Sequence, residues 1–133
     1  MDAKDLIATF PLRLPDVLGD AITCLAGAEI EAGRLDTARA LLEGLVVADH
    51  AAPAAWALLS RTHRRLGQPL AARFCAEVAS RLAPDDPEVR LARAEAQLAV
   101  PGERAEGKRA LAPLAGEGAV GTRARALLAA LGE

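Results

Sequence analysis

The chain has 133 residues and a formal net charge of −2, with 52% hydrophobic residues, 2% aromatic residues and no tyrosine. That length suits one domain with a modest core, and the slightly acidic balance argues against a general nucleic-acid binder or a protein of anionic membrane surfaces. Alanine and leucine, both strong helix formers, dominate, whereas the β-branched and aromatic residues that sheets draw on are scarce, so the fold class is all-α.

The N-terminal stretch MDAKDLIATFPLRLPD predicts a short helix near 3–10 and then a linker, because Pro11 and Pro15 prevent a continuous helix. Its acidic residues and short apolar core are unlike a signal peptide. No later apolar run approaches the roughly 18–20 residues that span a bilayer. The expectation is a cytoplasmic protein with no membrane insertion. Apolar periodicity and end signals place further helices near 17–32, 36–48, 54–66, 70–82, 87–99, 103–115 and 121–131. Cys24 and Cys75 form no CxxC pair and fall in apolar helical stretches, which predicts two buried free thiols.

A fixed stride runs through these elements. Gly33 and Gly67 lie 34 apart, each closing one helical stretch and opening another. At the same interval Ile22 matches Trp56, Leu25 matches Leu59, Leu35 matches Pro69, and Ala38 matches Ala72. The physical logic is a pair of antiparallel helices: a small residue such as Ala72 lets the second helix approach, and Trp56 fills the gap beside it. Glycine ends the first helix without the strain a side chain meets at positive φ, and Pro69 opens the second where a missing N–H costs nothing. Asp85-Asp86-Pro87-Glu88 is another start, with an acidic N-cap and a carboxylate near the positive end of the helix dipole.

This interval and the order of large and small residues resemble the tetratricopeptide repeat family. Trp56, Leu59, Gly67, Ala72, Ala79, Leu82 and Pro84 carry the likeness in residues 53–86. The resemblance implies a helical-hairpin solenoid spanning 1–133 as a single domain. Residues 1–18 form its N-terminal helix and linker, 19–52, 53–86 and 87–118 its three repeats, and 119–133 a C-terminal capping helix. The third repeat is looser, since Gly102 arrives one residue late and Gly107 replaces the small alanine. In the capping helix Leu127, Leu128 and Leu131 can face the third repeat while Arg123 and Arg125 stay in water. Each unit buries its face only against neighbours, so stability is roughly a sum over units and interfaces.

The same resemblance implies a groove lined by the first helix of each repeat. Its groove-facing positions include Ile30 in the first unit, Ala54, Ala57, Arg61, Arg64 and Arg65 in the second, and Leu91, Glu95 and Leu98 in the third. The arginines of RTHRR, residues 61–65, would then hold carboxylates or backbone carbonyls of a client polypeptide, with apolar positions taking aliphatic anchors. A solvated arginine face partly neutralised by Glu31 and Glu95 is the plainer alternative. Nucleic acid fits poorly, because no aromatics interleave with the arginines. The lysine and asparagine that clamp chaperone C-termini in one branch of the family are replaced here by Thr23 and Gly27.

No carboxylate pair is spaced to act as acid and base in one pocket, and His50 and His63 are not spaced as metal ligands with a cysteine or acid. Cys75 and His63 are the one conceivable nucleophile–base pair, and both read better as core residues. The expectation is no enzyme, no cofactor and no metal.

Within the repeat family, the stretch ARALLEGLVVADHAAPAAWALLSRTHRRLGQPLAARF with its Asp49-His50 junction, and EVRLARAEAQLAVPGERAEG further on, are similar to the class II chaperones of type III secretion. That likeness covers about residues 16–115. It implies a cytoplasmic chaperone holding an extended segment of a translocator, with an N-terminal helix that could mediate homodimerisation. Those chaperones carry more tyrosine and phenylalanine than this chain does. The alternative is a generic tetratricopeptide scaffold in a bacterial regulatory or envelope complex.

Overall fold

The computed structural model describes residues 15–132; the helix expected near 3–10 and the dimerisation role attached to it lie outside the described residues. Seven α-helices follow one another: α1 (Asp16–Glu31), α2 (Leu35–Ala48), α3 (Pro53–Arg65), α4 (Pro69–Leu82), α5 (Pro87–Leu98), α6 (Arg104–Leu111) and α7 (Gly118–Ala130), with a 3-10 turn, Ala112–Leu114, between the last two. No strand occurs among the described residues. The fold is a tetratricopeptide-type stack of helical hairpins.

The first two hairpins close with the same backbone device. Gly33 and Gly67 have φ of 80° and 75°. At each, the glycine N–H reaches the carbonyl three residues back (Gly33 to Ile30, Gly67 to Arg64). The next N–H reaches five back, Arg34 to Glu29 and Gln68 to His63, both at 2.9 Å. This pairing satisfies carbonyls that a helix end would leave without donors. Starts are equally local. Pro53, Pro69 and Pro87 each occupy the first helical turn, and the Asp86 carboxylate accepts the Glu88 N–H at 2.9 Å.

Helix contact explains where small residues stand. Ala38 and Ala72 are fully buried, and the buried Ser60 hydroxyl donates to the Ala72 carbonyl at 2.7 Å, tying α3 to α4. In the third hairpin the equivalent contact falls at Gly107. A Cβ there would lie 2.9 Å from the Ala94 carbonyl oxygen and 3.0 Å from the Leu98 nitrogen, so α6 approaches α5 more closely than alanine allows. The one-residue lateness of Gly102 and of Gly107 has one origin: five residues, 99–103, join α5 to α6, against the three, 66–68, that join α3 to α4, so α5 ends one residue early and α6 begins one residue late.

Trp56 joins consecutive hairpins. Its ring packs on the core of Ala26, Ile30, Leu42 and Leu59 and also on that of Ala79 and Val89. Its indole N–H donates to the His50 carbonyl at 2.9 Å. Further along, Leu127 and Leu128 of α7 and Leu131 just past its end pack with Leu111 and Ala124 in a separate core.

Several expectations need correction. α6 ends at Leu111 rather than near residue 115, because Pro113 can neither donate to a helical carbonyl nor clear the one four residues back. α7 begins earlier, at Gly118. Cys24 is exposed; only Cys75 is buried. Leu25 is half-exposed, and its neighbour Ala26 enters the core instead.

Candidate functional site: a charged groove between three helices

A cavity of about 480 Å³ opens between α3, α5 and α7, with Glu31 of α1 at its edge. Its walls are small and aliphatic: Ala54, Ala57 and Leu58 from α3, Leu91 and Ala92 from α5, Ala119 and Val120 from α7. Arg61, Arg64 and Arg123 supply its cations, and Glu31, Glu88 and Glu95 its anions. Helical spacing creates this arrangement. Ala54, Ala57, Arg61 and Arg64 recur at three- and four-residue steps along one face of α3, as Glu88, Leu91 and Glu95 do along α5.

The charges are organised around Glu95, whose side chain is 7% exposed. Arg64 Nη2 lies 2.8 Å from one of its oxygens and Arg123 Nε 3.3 Å from the other. One carboxylate thus serves a guanidinium from α3 and another from α7, fastening the terminal helix across the groove. Arg61 Nη2 meets Glu31 at 3.0 Å. Burial lowers the Arg64 pKa most; Glu95 opposes that, and the positive charges of Arg123, Arg61 and Arg65 lower it further. Arg64 Nε is buried without a hydrogen-bond partner among the described residues.

Of the residues expected to line a groove, Ala54, Ala57, Arg61, Arg64, Leu91 and Glu95 come together here. Three do not. Ile30 is fully buried, because the packing of α1 on α2 and α3 turns it into the first core. Leu98 packs against the core shared with α7. Arg65 reaches back to donate from Nη1 to the Ile30 carbonyl at 2.7 Å, across the junction of the first two hairpins. Conversely, Leu58, Ala92, Ala119 and Val120 line the cavity without having been singled out, and Arg123, expected to stay in water, joins them through its pairing with Glu95. Leu58 and Ala92 directly follow Ala57 and Leu91, so the neighbouring face was the available signal. The three α7 residues lie beyond the repeat period, and no spacing pointed to them.

Elsewhere the chemistry is quiet. Burial pushes the Cys75 thiol up to about 11, far from the thiolate needed for nucleophilic attack at neutral pH. His63 Nδ1 is engaged with Gln68 Oε1 at 2.6 Å. Among the described residues no group of three His, Cys, Asp or Glu side chains is placed to hold a metal ion, and no helix is long and apolar enough to cross a membrane.

The tetratricopeptide repeat family model matches residues 53–96. No curated protein sequence matches the chain. Among solved structures, the type III secretion translocator chaperone SycD of Yersinia enterocolitica is similar at 21% identity and a TM-score of 0.70, over 87% of this chain and 91% of that one. SycD in complex with a peptide of the translocator YopD gives 22% identity and 0.68, over 90% and 95%. PcrH of Pseudomonas aeruginosa gives 23% identity and 0.71, over 92% and 98%. The chain therefore has the tetratricopeptide helical-hairpin fold that SycD and PcrH share, and residues 53–96 carry the repeat signature itself.

Proposed function

We propose that this chain is a cytoplasmic chaperone of the type III secretion translocator kind, holding an extended segment of a client polypeptide in the groove between α3, α5 and α7. The observation that carries the reading is the groove itself: a channel of about 480 Å³ with apolar walls and charges organised around Glu95, formed by the faces of consecutive hairpins. Such a lining suits a chain whose apolar side chains must be sheltered while its backbone stays extended. Support comes from the fold, since SycD has been seen with a YopD peptide and PcrH with the chaperone-binding regions of PopD and PopB. SycD has also been crystallised in alternative dimers, which supports a homodimer for this chain as well. Among the described residues the groove lining carries no aromatic side chain on which a nucleobase could stack, which favours a polypeptide client over a nucleic acid.

The test is co-expression with the hydrophobic products of adjacent genes. A chaperone keeps soluble, and co-purifies with, a partner that aggregates when expressed alone. If every such partner is soluble without this chain, the chaperone reading fails and a static scaffold takes its place.

A further inference from the structure

The two ends of the groove differ in charge. Glu88 stands at the start of α5, and Glu95 lies two turns further along the same face, about 10 Å away at 1.5 Å per residue. Around Glu95 gather Arg61, Arg64 and Arg123, with Arg65 near enough to Arg64 to repel it, while Glu31 and Glu95 are the anions paired with this group. Arg65 itself lies outside the groove lining and donates to the Ile30 carbonyl. Glu95 is already divided between two guanidinium groups. This end of the groove holds more cation than its own carboxylates balance, and it is partly dry, as the burial-lowered Arg64 pKa reflects. Next to it the wall is apolar: Leu91, one turn before Glu95, lines the cavity together with Ala57 and Val120.

We infer that the groove selects an extended client segment carrying an apolar side chain and, two positions away, an acidic side chain. The apolar group sits against Leu91, Ala57 and Val120, and the carboxylate joins Arg61, Arg64 and Arg123. The spacing follows from the ruler of the site. Leu91 and Glu95 are four helical residues apart, about 6 Å along α5, and side chains two apart on an extended chain point the same way at a separation of about 6.6 Å. A guanidinium cluster in a partly dewatered site favours a carboxylate over its amide, since a charge-assisted hydrogen bond is roughly twice as strong as a neutral one. The inference rests on the groove reading above and adds the chemistry of the client.

The probes are short alanine peptides, capped at both ends so that no terminal charge competes. Each carries one leucine and, two positions away in either order, glutamate, glutamine or lysine. Fluorescence anisotropy against the full chain should show the glutamate peptide binding at least about tenfold more tightly than the glutamine one, with lysine weakest. In the double variant Arg61→Gln, Arg123→Gln the glutamate preference should fall to within about twofold while leucine-dependent binding remains. Equal affinity for all three peptides, each abolished by the groove-filling Ala54→Trp, overturns the acidic preference and leaves the groove reading standing. No binding of any peptide at about millimolar concentration, or binding that Ala54→Trp does not change, overturns both.

Discussion

Arg64 on α3 and Glu95 on α5 meet at 2.8 Å, linking two consecutive hairpins at the floor of the groove. Glu95 is nearly closed off from water, so removing its main partner leaves a buried charge held only by Arg123 at 3.3 Å. Arg64→Ala should therefore destabilise the fold by about 1–3 kcal/mol, less than a fully buried pair because Arg64 is itself partly wet. Urea unfolding of Arg64→Ala, Glu95→Ala and the double variant checks this. The double should cost clearly less than the sum of the singles; additive losses would mean the two side chains do not act as a pair.

Gly107 tests the third hairpin. Gly107→Ala places a methyl group 2.9 Å from the Ala94 carbonyl oxygen and close to the Leu98 backbone nitrogen, neither of which can swing aside. Despite the better helix propensity of alanine, the substitution should lower stability by about 1–3 kcal/mol, read from thermal or urea unfolding. A stabilised variant would show that α6 stands further from α5 than described.

A second charged network ties α4 to the turn before α6. Arg73 holds Glu103 through two nitrogens at 3.0 and 3.2 Å and Glu77 at 2.8 Å, while Arg93 reaches Glu77 at 3.2 Å. The Arg73 hydrogen bond holds the Glu77 carboxyl below its ordinary value; burial opposes it, and the Arg93 hydrogen bond and the two positive charges add to the lowering. A depressed carboxylate stabilises the fold fully above the ordinary glutamate value of about 4.3 and loses that contribution as pH falls through its lower folded value. Glu77→Gln should thus melt a few degrees below wild type near neutral pH, a loss under about 1 kcal/mol for so exposed a group. The gap should close progressively as pH falls below about 4.3. A gap unchanged at acid pH would assign the loss to packing rather than charge.

Much of the fold was legible because its determinants are local and periodic. Gly33 and Gly67 announce identical turns, Pro53, Pro69 and Pro87 announce helix starts, and Ala72 marks the close approach of two helices. The groove was legible where the repeat is regular, in Ala54, Ala57, Arg61, Arg64, Leu91 and Glu95. It was misread at Ile30, where one more face of packing against α2 and α3 removes the side chain from solvent. Leu98 was misread for a similar reason, since α7 covers it. Arg123 was expected to stay in water and instead pairs with Glu95, because that partner lies 28 residues away on another helix and no period relates the two. Cys24 looked apolar in sequence yet lies exposed on α1, where neighbouring Leu25 is half-exposed too.

In the proposed function another polypeptide lies between α3, α5 and α7. Site-specific photo-crosslinking in the client complex tests it most directly, with the crosslinking residue placed at Ala54 or Ala119, both exposed on the groove, and at Leu70 or Phe74, exposed on α4 away from it. The prediction is client adducts from Ala54 and Ala119 and none from Leu70 or Phe74. Adducts confined to Leu70 and Phe74 would contradict the claim and move the client to the opposite helix layer.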